Sequence, residues 1–301
     1  MSRHLRLFVL PITGLIVCLP LLASEPEYIS SERPSPDTVL DLDNTMGKTR
    51  KPEETLPEWE RRLKKRATNL KNFFWDDANL LLKPRSYYMD KQRDDSADSE
   101  AWALGGALQY RTGLFKGRVR LGTTFYTTQK LYGPSDKEGT KLLKSGQEGF
   151  NVLGESYAEV NLTQTTDLRL YRQSLSLPYV NKQDSRMVPN TFEAYTLFDD
   201  KSPHFNYVLG HITRMKKRTA TTFSHMSEAA GADNSNKGLS MIGGRYNLTP
   251  LINIGAVNHY SWDVMNIFYT EANAAWKLND HLALRLSGQY TNQQDTGDHL
   301  I

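Results

Sequence analysis

The 301 residues carry 37 Lys and Arg against 34 Asp and Glu, a net charge of +3, with no basic cluster interleaved with aromatics, so the totals do not ask for nucleic acid. The single cysteine, Cys18, excludes an internal disulfide and a thiolate metal site. A mean hydropathy of −0.57 does not separate a soluble protein from a membrane barrel with a wet interior, where only alternate strand residues meet lipid.

Residues 1–23 read as an export signal: Arg3, His4 and Arg6, an apolar run from Leu7 to Leu22 broken by Pro11, Gly14 and Pro20, and a cleavage site at Ala23-Ser24. The run is too short and too interrupted for a membrane anchor. Cys18 follows Val17 and precedes more apolar chain, which is not the setting of a lipid-modified cysteine. Residues 24–54, rich in Ser, Pro, Asp and Glu, read as a disordered linker. The period then changes. Thr55 and Glu58 have capping-box spacing, and Leu56, Trp59, Leu63, Ala67 and Leu70 recur at helical intervals, which predicts an amphipathic helix within 55–75. Its other face holds Arg61, Arg62, Lys64, Lys65, Arg66 and Lys71. That face suits docking on a membrane, on a partner or in a barrel mouth, and equally a solvated linker.

From Asn79 onwards the period is close to two. Trp102, Leu104, Leu108 and Tyr110, then Val119, Leu121 and Phe125, form two alternating runs that meet at the turn 113–117. Arg118, Arg120, Thr124, Tyr126 and Thr128 stand between the apolar residues of the second run, so one face of this hairpin wants hydrocarbon and the other wants water. About eleven such strands are expected: 79–89, 100–112, 117–128, 151–164, 167–177, 191–198, 205–217, 237–248, 251–262, 264–278 and 281–292. Short links at 165–166, 199–204, 249–250 and 279–280 exchange with longer ones at 90–99, 129–150, 178–190 and 218–236. Membrane barrels sort their connections this way, with short periplasmic turns and long outer loops. In the last strand Leu282, Leu284, Leu286 and Tyr290 oppose Arg285, Ser287, Gln289 and Thr291. Around Tyr207 to Met215 the inward face stays open, because His211 and Ile212 both break the alternation.

The predicted fold is therefore all-β, an antiparallel transmembrane β-barrel over 76–301. Its candidate lumen groups are Lys83, Arg85, Arg111, Arg118, Arg120, Arg169, Arg245 and Arg285. A guanidinium stays protonated and holds a carboxylate through two parallel hydrogen bonds, so a column of them passes anions from site to site. The competing reading is that several balance Glu159, Glu193 or Glu271 as structural ion pairs. The loop from Pro178 to Pro189, with Lys182, Asp184 and Arg186, has the length and mixed charge to fold inward and narrow the lumen, or to stay exposed. His225, Ser227 and Asp233 are scattered outside any catalytic motif, and no enzyme activity, cofactor or metal is expected.

Several short motifs in order resemble the OprD-type substrate-specific porins. They are Arg85-Ser86-Tyr87-Tyr88-Met89, Glu100-Ala101-Trp102-Ala103, the stretch Tyr110 to Gly117, Gly139-Thr140-Lys141-Leu142-Leu143, and Arg186-Met187-Val188-Pro189-Asn190-Thr191-Phe192-Glu193. The resemblance runs from about Asn79 to the end. It implies an 18-stranded barrel in the outer membrane of a Gram-negative bacterium, monomeric or trimeric and put in place by the outer-membrane assembly machinery. It also implies an inward third outer loop, here Pro178 to Pro189, and a basic ladder that guides small carboxylate-bearing solutes such as amino acids or aromatic acids. The linker and helix before Asn79 depart from the family pattern. The chain also stops at His299-Leu300-Ile301, after the eleventh expected strand, which predicts a fragment or an early-terminated product. The expected function is passive, partly selective diffusion of such solutes through an arginine-lined channel; the alternative is a noncatalytic barrel serving as an anchor or adhesin.

Overall fold

The computed structural model describes residues 58–92, 97–279 and 282–297. The export signal, the linker and the Thr55 cap lie outside the described residues. Twelve strands form one antiparallel sheet. They are β1 (Asn79–Lys91), β2 (Ser99–Arg111), β3 (Val119–Tyr132), β4 (Phe150–Asn161), β5 (Thr166–Gln173) and β6 (Thr191–Asp199). There follow β7 (Phe205–Lys216), β8 (Ser224–His225), β9 (Leu239–Thr249), β10 (Ile252–Ser261), β11 (Met265–Asn279) and β12 (Leu282–Asp295). Each long strand pairs with the next along the chain, and the two-residue β8 pairs with the end of β7. The eleven long strands coincide with the eleven expected segments, because alternation over ten or more residues is a strong local signal. Neither β8 nor the short helix α2 (Met226–Ala230) was foreseen; pieces of two and five residues carry no readable period. Among the described residues β1 and β12 each pair on one side only, so the sheet is open there.

The two faces differ sharply. On one, Leu104, Leu108, Leu121 and Phe125 are each more than 40% exposed; on the other, Ala101, Ala103, Thr124 and Tyr126 are at most 5% exposed. Register keeps this alternation from strand to strand, since paired residues share a face. The inner face is the one the long connections cover. It was expected to be polar and wet, but under two of those connections it is dry. Leu142 and Leu143 from the link 133–149 and Met187 and Val188 from the link 174–190 pack on Ala101, Ala103, Phe150 and Val152. Small alanines on β2 make room for the loop side chains. A second dry cluster joins Val180 to Phe192, Ala194, Ile212, Leu239 and Met241.

That cluster also settles the strand whose face the sequence left open. A bulge opposite Glu193 and Ala194 shifts the pairing, so Ile212 turns inward and is fully buried, while His211 hydrogen-bonds Ser240 at 3.0 Å. Ahead of the sheet, helix α1 (Glu58–Lys71) runs into a single π-helical turn over Asn72–Asp76. This turn is fastened to the first short connection. The amide of Gly113 donates to the Phe73 carbonyl at 2.8 Å, the Tyr110 hydroxyl donates to the Phe74 carbonyl at 2.5 Å, and the Phe73 and Phe115 rings meet edge to face.

Candidate functional site

Between β5 and β6, residues 174–190 leave the rim and cross the inner face. Local hydrogen bonds shape the crossing: the Lys182 amide donates to Leu175 O at 2.7 Å, and the Asn190 amide donates to Lys182 O at 2.8 Å. On one side the loop meets β1, where the Arg85 Nη1 donates to Asp184 Oδ1 at 2.8 Å and also to the carbonyls of Arg186 and Met187. On the other it meets β11 and β12. There the Tyr179 hydroxyl donates to Thr291 Oγ1 at 2.9 Å, and its ring lies edge-on to Tyr269. The loop root is held by Lys216, which is fully buried and donates to Pro189 O at 2.9 Å and Lys217 O at 3.1 Å. Nothing in the sequence marks Lys216 for this role, because its acceptors are main-chain carbonyls reached only in three dimensions.

Two cavities lie under the crossing. The larger, about 360 Å³, has Leu175, Leu177 and Pro178 as its roof and Arg169, Arg245 and Glu271 in its wall. The smaller, about 110 Å³, is lined by Lys83, Arg85, Tyr126, Glu155, Lys182 and Asp184. Asp184 is taken by Arg85, while Glu155 accepts a bond from the neutral Tyr126 hydroxyl at 2.7 Å and keeps its charge. The ammonium groups of Lys83 and Lys182 have no carboxylate in ion-pair reach among the described residues, so three cations against two carboxylates leave this lining with a surplus of one positive charge.

The other candidate cations fall into groups. Arg111, Arg120 and Arg169 converge on the buried Glu159, at 3.9, 3.8 and 2.5 Å. Three guanidiniums facing one carboxylate leave a cationic surplus on the inner wall. Arg169 is further fixed between the rings of Tyr157 and Phe198, 4.8 and 5.0 Å from their centroids. Across the larger cavity Arg245 pairs with Glu271 at 2.8 Å, and the Tyr269 hydroxyl donates to the same carboxylate at 2.7 Å. Four of the eight cations thus sit in ion pairs with two of the carboxylates named as their balance. Arg118 belongs to the short turn before β3 and is exposed at the rim, and Arg285 is exposed on β12; neither has a side-chain partner among the described residues.

Arg186 lies on the crossing loop, where its Nε donates to Thr140 O at 3.1 Å and ties the loop to the neighbouring link 133–149. Glu193 does not belong to the lumen wall. It pairs with Arg172 at 3.0 Å and Arg214 at 3.8 Å, and alternation with the inward Ala194 turns this row to the other face, where Arg172 also stacks on Phe223. Arg172 and Arg214 were not singled out in the sequence: alternation with Arg169 turns Arg172 to the other face, and the bulge in β6–β7 obscures the face of Arg214. In the outer link 217–238, Arg218 donates to Gln183, and burial and the nearby Arg186 guanidinium lower its pKa.

A family model described as outer membrane porin, OprD family, matches residues 72–301. Porin D of Pseudomonas aeruginosa is 26% identical over 232 residues, which are 74% of this chain and 52% of that protein. Among solved structures, OccK9 (OpdG) of Pseudomonas aeruginosa superposes with a TM-score of 0.66 at 22% identity, covering 75% of this chain and 60% of that one. A BenF-like porin from Pseudomonas fluorescens gives 0.65 at 19% identity over the same shares. OpdK of Pseudomonas aeruginosa, solved with vanillate, gives 0.65 at 19%, covering 75% and 59%. The chain spans about half the length of the curated relative and about 60% of these solved porins.

Proposed function

The chain belongs to the OprD family of outer membrane porins, and from that premise we propose that it contributes the wall and constriction of a channel for passive, partly selective diffusion of small carboxylate-bearing solutes. One observation carries the reading: a charged loop crosses the inner face and leaves beside it a cavity in which Lys83 and Lys182 stand unpaired. A pore that passes anions needs positive charge that attracts without a fixed counter-ion to occupy it. The surplus around Glu159 extends that field along the wall, while the Arg245–Glu271 pair adds a dipole and no net charge. Because the guanidiniums there are partly neutralised, a solute meets a graded attraction rather than a deep trap. A wall of this kind conducts only when its sheet closes around water, since open strand edges in lipid leave backbone groups without partners.

The test is single-channel conductance in planar bilayers, with a small aromatic or aliphatic carboxylate added to one side. Current steps that the carboxylate perturbs are expected. Replacing Lys83 and Lys182 together with Ala is expected to raise the concentration needed for half block about fivefold per charge, the size of a partly solvated ion pair of about 1 kcal/mol. Block that does not change in the double variant would remove these lysines from the pathway. A chain that inserts but gives no steps would instead favour the anchoring reading.

A further inference from the structure

Helix α1 plays no part in the crossing or its cavities, and none of its residues is buried. Trp59, Leu63, Ala67, Leu70 and Phe74 recur every three or four residues along one side, and Trp59, Leu63 and Leu70 are exposed to about half or more. Trp75, 75% exposed, prolongs this stripe past the π turn. At 100° per residue Arg62 and Arg66 fall on one flank of the stripe, and Lys64 and Lys71 on the other. Over the whole helix six cations face two carboxylates. Glu58 pairs with Arg62 and Glu60 with Lys64, and Lys71 reaches Asp76, but these pairs are exposed and weak, and the helix keeps a cationic excess. An apolar stripe bordered on both sides by long cationic side chains matches a helix lying in a lipid interface, stems over the acyl boundary and charges on phosphates.

Where the helix ends selects its partner. Tyr110 pairs in register with Leu80 on the outer, apolar face, and its hydroxyl holds the Phe74 carbonyl. Leu80 and Leu82, both about two-thirds exposed, begin the outer apolar surface of β1 only a few residues later. The stripe therefore runs into the outer surface at the short-turn rim, not into the lumen. We propose that α1 lies on the membrane leaflet around the short-turn rim, with Trp59, Leu63, Leu70 and Trp75 at the headgroup boundary and its basic flanks on anionic phospholipid. This rests on the channel reading for which face of the sheet meets lipid. The cationic excess, and continuity with the outer apolar surface, favour lipid over a protein partner.

The test labels the full chain, with Cys18→Ser, at one introduced cysteine with a fluorophore. The chain is inserted into phosphatidylcholine vesicles with or without phosphatidylglycerol, and quenching by nitroxide lipids is compared with quenching by a water-soluble agent. With Leu63→Cys, quenching by shallow nitroxides is expected, stronger with phosphatidylglycerol, while Lys65→Cys on the opposite side stays open to the aqueous agent. Changing Arg62, Lys64, Arg66 and Lys71 to Gln is expected to lower the bound-to-free ratio of the helix about fivefold per cation. Leu108→Cys on the outer wall is the reference. If deep nitroxides quench it but no lipid quenches Leu63→Cys, the helix proposal fails while the wall stands. If Leu108→Cys itself is not quenched, the channel reading fails first and takes the proposal with it. A Leu63 probe shielded from both agents would mean that protein covers the stripe, which also overturns it.

Discussion

Removing Arg85 is expected to affect the proposed passage more than folding. Its guanidinium holds Asp184 and two loop carbonyls, yet both charged groups remain about one-third exposed. Water screens such a pair, so Arg85→Ala is expected to cost under about 1 kcal/mol in urea unfolding. The same change releases one side of the crossing and is expected to raise single-channel conductance. Unaltered conductance would show that the loop keeps its position without this tie. Lys216 is the opposite case: its buried ammonium rests on carbonyls, and no sequence pattern announces that. Arg85 could be read as inward from alternation alone, but its partner Asp184 lies 99 positions away.

At the level of strands and turns, the sequence was most legible where side chains alternate and least where one element covers another. The eleven long strands follow from period-two patterning, and the sorting of links into short and long held up to the three-residue connection between β10 and β11, which stands on the long-loop side. The dry inner patches were not legible, since Phe150 and Val152 are buried by Leu142, Leu143 and Met187, and no local pattern says that a distant link will fold back onto them. Bulges hid the face of β7 for a related reason: one extra residue reverses the alternation without leaving a mark in composition. Close approach is also invisible one strand at a time. A Cβ at Gly122 would lie 2.3 Å from the Tyr157 ring, which stacks on Arg169. Gly122→Ala is therefore expected to cost about 1–3 kcal/mol by overpacking and to move Arg169 off Glu159. A heat-modifiability gel reads the loss as a lower transition temperature; an unshifted transition would show that Tyr157 gives way freely.

For the molecule as a whole, the fold class and the family were readable because they rest on many weak, concordant signals spread along the chain. The arrangement of charge was only partly readable, as the mixture of paired and unpaired cations depends on which carboxylates come within reach. The crossing loop adds a property that belongs to no single element. Tyr179 reaches the last described strand and Asp184 the first, so releasing either attachment frees the same span. Tyr179→Phe and Asp184→Asn are each expected to increase current noise, and the double variant to add little to the larger single effect. Strictly additive noise would mean that the two attachments act independently.

The same geometry resembles a bow strung across its own opening. In the proposed channel, a solute that presses on the string is expected to load both limbs, so that room for a bulky molecule comes from bending the wall as well as from moving the loop. Size exclusion is then expected to be elastic, relaxing with temperature and membrane tension.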